Sequence, residues 1–377
     1  MKKIVLITNI PNAYRIPLFN ELNNQFTELN YELIVIFAAG SYNRRKSVIN
    51  MTDCNFKYII LGSEGITPGA DEEKTYFSYD GLLKTLKDEK PYRIIVSGFS
   101  RATVKVWWYS KIHRIKYIIR SGAIQKKGRN DSVLRNLLRN FLTRSASSCI
   151  AYGSLAAEYL QSMGAAPSHI SIGINTVDTQ FFRNATAAAR LNNVSDGKHH
   201  LTFTGYLVPR KNVIALLKVI QQLALVRTDF CMDIIGDGSD RPELEAFVKQ
   251  QKLENFVVFH GFKQKDELPE LLAMSSVFLF QTGFDIWGLT LNEAMAAEIP
   301  CIASIHAGSA KDLITHGENG FIADYDQPTD VVALIQELLN DLQRAKKMGV
   351  AAGEFIREHA SLPISAKGFI NAVKLSE

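Results

Sequence analysis

The sequence predicts an α/β protein of two domains, each built on a parallel sheet. Three observations carry this. At 377 residues the chain exceeds one ordinary core and suits two domains of roughly 150 to 200 residues. With 46% hydrophobic and 21% charged residues and only 11 Pro, it has ample apolar surface to bury, which excludes disordered and fibrous architectures. Short apolar runs bounded by turn residues alternate with longer segments of helical period, and the alternation occurs twice.

In the first half the apolar runs are Ile4 to Ile7, Leu33 to Phe37, Tyr58 to Leu61, Ile94 to Val96, Tyr117 to Ile119 and Cys149 to Tyr152. Each is too short for a helix and suits a strand buried on both faces. The opening run is also shorter than the apolar core of a signal peptide, and no run approaches the roughly 18 residues needed to cross a bilayer. The expectation is a cytoplasmic protein, with peripheral contact at the inner face of the cell membrane left open. Residues 184–200, rich in Ala, Asn, Ser and Gly, read as a linker or loop. The strand pattern then restarts with Leu201 to Thr204, Met232 to Ile235, Val257 to Phe259, Val277 to Phe280, Cys301 to Ala303 and Phe321 to Ala323. The tail from Val331 reads as helical, with breaks expected at Gly349, Gly353 and Pro363.

Charge is unevenly spread. Up to residue 180 there are 24 Lys and Arg against 14 Asp and Glu, and afterwards 19 against 24. Much of the excess lies in residues 101–144, with 12 basic residues and one acid. Such a patch fits lipid headgroups, a phosphorylated acceptor or nucleic acid. Membrane or lipid phosphate is the preferred reading over a merely solvated surface. Nucleic acid is set aside, because no nucleic-acid-binding module surrounds the patch. Within it Val133, Leu134, Leu137, Leu138, Phe141 and Leu142 recur at helical spacing between Arg135, Arg139 and Arg144, marking an amphipathic helix with a cationic face. Its apolar side is expected to bury in its own domain rather than in a bilayer.

Cys54, Cys149, Cys231 and Cys301 lie too far apart for a thiolate metal site or a disulfide framework and read as buried apolar residues. The segment Gly236-Asp237-Gly238 lacks the third glycine of a dinucleotide fingerprint and reads as a strand-to-helix turn. Asp324-Tyr325-Asp326 reads as a surface turn. The most informative segment runs from Phe284 to Pro300. Asp285 and Glu293 lie eight positions apart across what reads as a loop-to-helix junction at Gly288, so both can reach one ligand. Carboxylates suit sugar or ribose hydroxyls. On spacing alone, solvated helix acids remain the default.

This segment resembles the signature of family-4 retaining glycosyltransferases, Glu, seven residues, Glu, with Trp287-Gly288 inside and Glu293-Ala294-Met295-Ala296 at the end. Further landmarks follow the same order: Tyr152-Gly153-Ser154, Asn175-Thr176-Val177-Asp178, Phe203-Thr204-Gly205, Pro209-Arg210-Lys211-Asn212, Phe259-His260-Gly261-Phe262 and Gly317-Glu318-Asn319-Gly320-Phe321. The resemblance implies the GT-B fold, two Rossmann-like domains facing across a cleft. Its implied bounds are 1–178 for acceptor binding, 179–355 for nucleotide-sugar binding, and 356–377 for a final helix crossing back to the first domain.

The resemblance also implies residue roles. Glu293 would bind ribose hydroxyls, Asp285 would meet the transferred sugar, and backbone amides of Ile286, Trp287, Gly288 and Leu289 would face sugar and diphosphate. Lys211 and Arg210 would neutralise the diphosphate, with Gly205 and Tyr206 on the same loop, and Phe262 would lie where the base is read. Acceptor candidates are Asn12, Tyr14, Arg15, Arg120 and Ser121. Four positions depart from the family pattern: Asp285 replaces Glu, Tyr206 replaces an Arg, Arg120-Ser121-Gly122 replaces a His, and Pro11-Asn12-Ala13 replaces a glycine-rich loop.

The implied activity is transfer of a hexose-type unit, with retention, from a nucleotide diphosphate sugar to an acceptor, and the basic patch points to a glycan or lipid-linked acceptor in cell-surface polysaccharide or lipopolysaccharide assembly. No metal or other cofactor is expected. The alternatives are a nucleotide-sugar epimerase, a synthase using a soluble acceptor, and a non-catalytic sugar-nucleotide-binding subunit.

Overall fold

A computed structural model describes residues 1–42, 50–66, 75–125, 132–192 and 196–377. They form two compact units, one of Met1–Val177 with Leu362–Glu377, the other of Asp178–Ser361. Both are α/β units with parallel sheets, the fold class expected.

The first unit contains β1 (Lys2–Thr8), α1 (Ile16–Glu28), β2 (Tyr31–Tyr42), β3 (Lys57–Gly65), α2 (Leu82–Glu89), β4 (Arg93–Ser97), α3 (Arg101–His113), β5 (Lys116–Ser121), α4 (Val133–Ser145), β6 (Ser148–Ala151), α5 (Ser154–Ser162) and β7 (Ile170–Ile172). The strands pair in parallel in the order β3-β2-β1-β4-β5-β6-β7. Alternation of side chains along β1 explains its apolar run: Ile4 and Leu6 join Phe19, Leu22 and Phe26 of α1, whereas Val5 and Ile7 join the core on the other face with Leu82, Leu86 and Val106. Strand order reverses between β1 and β4, so the crevice at the carboxyl ends of those strands is where such sheets take ligands.

The second unit contains α6 (Thr179–Asn192), β8 (His199–Thr204), α7 (Val213–Ala224), β9 (Phe230–Ile235), α8 (Arg241–Gln250), β10 (Val257–Gly261), α9 (Leu268–Met274), β11 (Ser275–Phe280), α10 (Leu289–Ala296), β12 (Cys301–Ser304), α11 (Ala310–Leu313), β13 (Phe321–Ala323), α12 (Pro328–Asn340) and α13 (Leu342–His359). Its parallel order is β10-β9-β8-β11-β12-β13, with the reversal between β8 and β11. One face of this sheet, through Leu201, Phe203, Met232, Ile234, Val277 and Leu279, packs on α7, α8 and α12. The last helix, α14 (Leu362–Leu375), belongs to the first unit. Phe369, Ala372 and Val373 pack with Phe19, Ile118 and Ile150, and a side chain at Gly368 would overlap the Ile172 carbonyl. Arg93 Nε donates to Ser376 Oγ at 2.9 Å and Ser148 Oγ to the Ala372 carbonyl at 2.7 Å.

Several expectations change. Residues 184–192 are not a linker but the second half of α6, because Ala187, Ala188 and Ala189 favour helix and Phe182 and Thr186 anchor it by burial. Gly349 and Gly353 do not break the tail: they lie inside α13, where side chains would strike the Glu298 carbonyl and the Glu298 side chain. They permit close packing rather than a turn. Since α13 continues to His359, the second unit ends at Ser361 rather than at residue 355. The short strand β7 was not expected.

The amphipathic helix is present as α4, yet its apolar side is not buried as expected. Leu134 is 79% exposed and Leu137 62%, with Val133, Leu138 and Phe141 also exposed, whereas only Leu142 and Thr143 are buried. Neighbouring α3 exposes Trp108 and Ile112. Of the basic patch, Lys126, Lys127 and Arg129 lie outside the described residues. Among the described residues no helix is long and apolar enough to cross a membrane.

Candidate active site

The candidate site of the second unit is built from the turns that follow β8 and β11, the two strands flanking its reversal point. After β8 the chain passes Gly205 and Tyr206 and folds Pro209–Lys211 into a single 3-10 turn. Asn212 closes that turn with φ of +47°, a left-handed conformation that Asn tolerates better than most residues. After β11 the chain crosses back over it. The amides of Gly283 and Phe284 both donate to the Arg210 carbonyl at 3.0 Å, and Gln281 Nε2 donates to the Asn212 carbonyl at 3.2 Å. These bonds set the register between Lys211 and Asp285, which are 74 positions apart in the sequence.

Lys211 is 5% exposed, and its Nζ donates to Asp285 Oδ2 at 2.5 Å. Arg210 Nη1 lies 3.5 Å from the same oxygen, while Asp285 Oδ1 accepts from the Trp287 amide at 3.2 Å. Burial pulls the Lys211 ammonium below the usual lysine range against the attraction of Asp285. For Asp285 burial works upward, but the two cations and the Trp287 amide outweigh it and hold the carboxyl below its ordinary value. Two cations thus converge on one carboxylate, leaving local positive charge for an anionic ligand.

Gly288 opens α10 with φ of +90°, and a side chain there would overlap the Phe280 ring. Its freedom from Cβ is required on both counts. Trp287 is buried and donates through Nε1 to Asn292 Oδ1 at 2.9 Å, fastening the loop to the helix. The loop is also backed by residues 306–309: Asp285 N donates to the His306 carbonyl at 3.2 Å and Gly308 N to the Asp285 carbonyl at 2.9 Å. Glu293 projects from α10. Burial pushes its carboxyl up to about 8, opposed only by Lys265.

The structure therefore brings Arg210, Lys211, Asp285 and the Trp287 amide into direct contact, with Gly205 passing beside the Lys211 stem. Of the four expected amides, that of Trp287 is engaged by Asp285, and those of Gly288 and Leu289 open the helix. Glu293 has Lys265, not Lys211, as its charged neighbour. Tyr206 and Ile286 are 43% exposed, and Phe262 lies half-buried on the turn after β10. Lys265 and Asn292 were missed by sequence reasoning. Asn292 sits inside the signature segment, and its position five residues after Trp287 was the available signal.

Other clusters are distinct. His200 Nδ1 and His260 Nε2 hydrogen-bond the two oxygens of Asp233 at 2.6 and 2.7 Å, with Cys231 nearby. Ligand atoms of His306, Asp324 and Asp326 also lie within 4.8 Å of one another, on exposed or half-buried turns. Gly236 to Asp240 form the turn from β9 to α8, where side chains at Gly236 and Gly238 would overlap the carbonyls of Gly205 and Leu207. These glycines hold the β8 and β9 turns together.

In the first unit, Asn12 organises the turn before α1: its carbonyl accepts from the amides of Arg15 and Ile16 at 2.8 and 3.1 Å. Tyr14 is exposed, and Ser121 Oγ accepts from Ala123 N at 3.1 Å. Arg15 and Arg120 both lie over the Tyr152 ring, at 5.1 and 4.9 Å from its centre.

Residues 187–355 match the model of glycosyl transferases group 1. This segment is a group 1 glycosyl transferase domain. It contains Arg210, Lys211, Asp285 and Glu293. Among curated relatives, the N-acetyl-alpha-D-glucosaminyl L-malate synthase of Bacillus anthracis is 33% identical over 142 residues, 37% of this chain and 36% of that one. A GDP-mannose-dependent alpha-(1-6)-phosphatidylinositol monomannoside mannosyltransferase of Mycobacterium tuberculosis is 30% identical over 157 residues, 40% of each chain. The chain thus spans about two fifths of the length of these relatives. The crystal structure of Anabaena HepE in complex with UDP covers 99% of this chain and 100% of its own at 17% identity, with a TM-score of 0.78. That likeness shows a shared fold. The group 1 glycosyl transferase domain accordingly places its two cations and two acids around the β8/β11 reversal and α10.

Proposed function

We propose that the chain is a glycosyltransferase that takes a hexose-type sugar from a nucleotide diphosphate sugar and transfers it, with retention, to an acceptor. The observation that carries this is the buried Lys211–Asp285 pair, with Arg210 beside it, at the reversal point of a group 1 glycosyl transferase domain. A diphosphate entering there competes with Asp285 for the two cations. That exchange frees the Asp285 carboxylate to accept from sugar hydroxyls while Lys211 and Arg210 neutralise the leaving group. Glu293 takes the ribose hydroxyls, and the amides opening α10 add partial positive charge.

In this reading the anomeric carbon–oxygen bond to the diphosphate breaks as the acceptor oxygen attacks from the same face. The acceptor proton passes to the departing phosphate oxygen, so no protein nucleophile is needed. The cations already present supply the charge stabilisation for which other transferases use a divalent ion, and the reaction is proposed to need no metal. Activity retained after EDTA treatment supports that, and loss restored by magnesium refutes it.

The first unit is proposed to bind the acceptor, and α4 to meet an anionic membrane surface carrying a lipid-linked glycan. The exposed apolar side of α4, with Arg135 and Arg139 on the same helix, is the specific observation in favour. The Mycobacterium tuberculosis relative is named for a phosphatidylinositol-based acceptor, which agrees with this class. The Bacillus anthracis relative is named as an N-acetyl-alpha-D-glucosaminyl L-malate synthase, and L-malate is a soluble acid, so a soluble acceptor is the competing reading.

The experiment is product analysis with radiolabelled nucleotide sugars and extracted lipids or soluble acids. Transfer that falls by about 10²-fold or more in Lys211→Ala supports the reading, given typical losses of charge-stabilising groups. A labelled epimer formed without acceptor indicates an epimerase. Donor hydrolysis unchanged in both Lys211→Ala and Glu293→Ala indicates a non-catalytic subunit.

A further inference from the structure

The carboxyl end of the first unit's sheet holds a concentration of positive charge that the donor site does not use. Arg120, the penultimate residue of β5, is 3% exposed, with its guanidinium 4.9 Å from the Tyr152 ring centre and 5.3 Å from that of Phe369. Arg15, immediately before α1, lies over the same Tyr152 ring at 5.1 Å. The ring is held by close packing, since a side chain at Gly122 would overlap it.

Among the described residues neither guanidinium has a carboxylate partner. Arg120 Nε and Arg15 Nη1 are both buried without an acceptor. A buried donor left in this state is destabilising, the more so when charged. A cation over an aromatic ring recovers only part of that cost. Burial together with repulsion from Arg15 lowers the Arg120 guanidinium to about 10, against the attraction of Tyr152. Conversely, the two guanidiniums outweigh burial at Tyr152 and hold its phenol below the ordinary tyrosine value. The cluster is thus short of negative charge and of acceptor oxygens. Arg15 and Tyr152 are partly exposed, which gives a ligand access.

We propose that Arg15 and Arg120, framed by Tyr152, form an oxyanion-binding subsite that takes a phosphate or carboxylate group of the acceptor. A planar fork of donors matches both groups, and two forks beside the β1/β4 reversal point can grip one oxyanion from two sides. Only the word acceptor rests on the glycosyltransferase reading. The binding of an oxyanion by the first unit does not.

The test uses the full chain and three probes: inorganic phosphate, succinate, and vesicles of phosphatidic acid compared with phosphatidylcholine. Binding is followed by thermal shift and by the arginine Nε–H signals in a ¹⁵N spectrum, which a merely structural arginine would not move. At least one oxyanion probe should bind, with affinity falling about tenfold or more in Arg120→Gln and in Arg15→Gln. The thermal response to UDP should be unchanged in both variants. Response to free phosphate or succinate identifies a soluble acceptor, whereas a response to phosphatidic acid vesicles that free phosphate competes away identifies a lipid phosphate. Arg15 is partly exposed, so Arg15→Gln remains informative if Arg120→Gln does not fold. No response to any oxyanion probe, or one preserved in both variants, overturns the subsite. Loss of the UDP response in the wild type instead refutes the donor reading and leaves this subsite standing.

Discussion

Glu293 makes nucleotide binding depend on pH in a direction that its surroundings dictate. Its carboxyl is raised from 4.5 to about 8, because burial penalises the charge and only Lys265 opposes that. The ionised form accepts hydrogen bonds from two ribose hydroxyls, whereas the neutral acid offers a donor and fewer acceptor positions. If binding requires the ionised form, the competent fraction is about one tenth at pH 7 and about nine tenths at pH 9, and apparent affinity scales with that fraction. Affinity for a nucleotide sugar should therefore rise about tenfold between pH 7 and pH 9, with uptake of the ligand releasing a proton. Titration calorimetry in two buffers of different ionisation enthalpy measures both quantities. The nucleotide sugar is chosen because it lacks a terminal phosphate titrating near pH 6. In Glu293→Gln affinity should be low and without this rise. A wild-type affinity that is flat or falls over this range, or a rise that persists in Glu293→Gln, refutes the reasoning. The same shift bears on stability: a carboxyl raised in the folded state loses stability as pH climbs from the unfolded value toward about 8. Partial solvent screening reduces the cost above pH 8 to the order of 2 kcal/mol, so Glu293→Gln should melt higher than wild type there.

Three further outcomes are expected. Lys211→Ala leaves Asp285 buried with only Arg210 near it and should destabilise by about 3 to 5 kcal/mol, whereas Lys211→Met with Asp285→Leu should recover most of that in denaturant titrations. Gly288→Ala must adopt φ near +90° and press on Phe280, so unfolding should show a loss greater than about 1 kcal/mol together with weaker donor binding. Leu134→Ser with Leu137→Ser alters exposed positions of α4 and should change stability by less than about 0.5 kcal/mol each, while reducing co-sedimentation with anionic vesicles. Unchanged sedimentation would remove the membrane reading of α4.

Strands were legible because β1 to β6 and β8 to β13 carry short apolar runs, buried on both faces in central strands such as β1, β4 and β9, although Tyr58 and Ile60 of β3 and Val258 of β10 are exposed at the sheet edges. The run at β7 is only Ile170–Ile172, with Ile172 42% exposed, and leaves almost no such mark. Glycine misled in α13 because its local meaning, a weak helix former, conflicted with its tertiary one, room for Glu298. Alanine misled in the opposite sense in α6, where a sequence without clear period is helical by propensity and anchored by Phe182. In the site, motif residues marked positions but not partners. That Lys211 pairs with Asp285, and that Lys265 is the charge felt by Glu293, depends on turns from different strands and has no signature in spacing.

The two sheets reverse at equivalent places, yet they handle cations there in opposite ways. In the second unit Lys211 and Arg210 have a resident counter-charge, Asp285, so an incoming diphosphate displaces a carboxylate and the freed acid becomes available to the sugar. In the first unit Arg15 and Arg120 have an aromatic ring and, among the described residues, no carboxylate, so an incoming anion displaces none of these. The first arrangement suits a ligand whose charge changes during reaction, because the same cations can pass between carboxylate and phosphate as the bond breaks. The second suits a group that keeps its charge throughout and serves only to orient the molecule bearing it. Supplying a carboxylate beside the first-unit cations, as in Tyr152→Glu, should therefore mimic the anion: it should melt higher than Tyr152→Gln and bind oxyanions more weakly. A variant that gains stability while keeping its affinity for phosphate and succinate would show that the two arginines are balanced elsewhere, and the contrast between the sheets would lose its functional meaning.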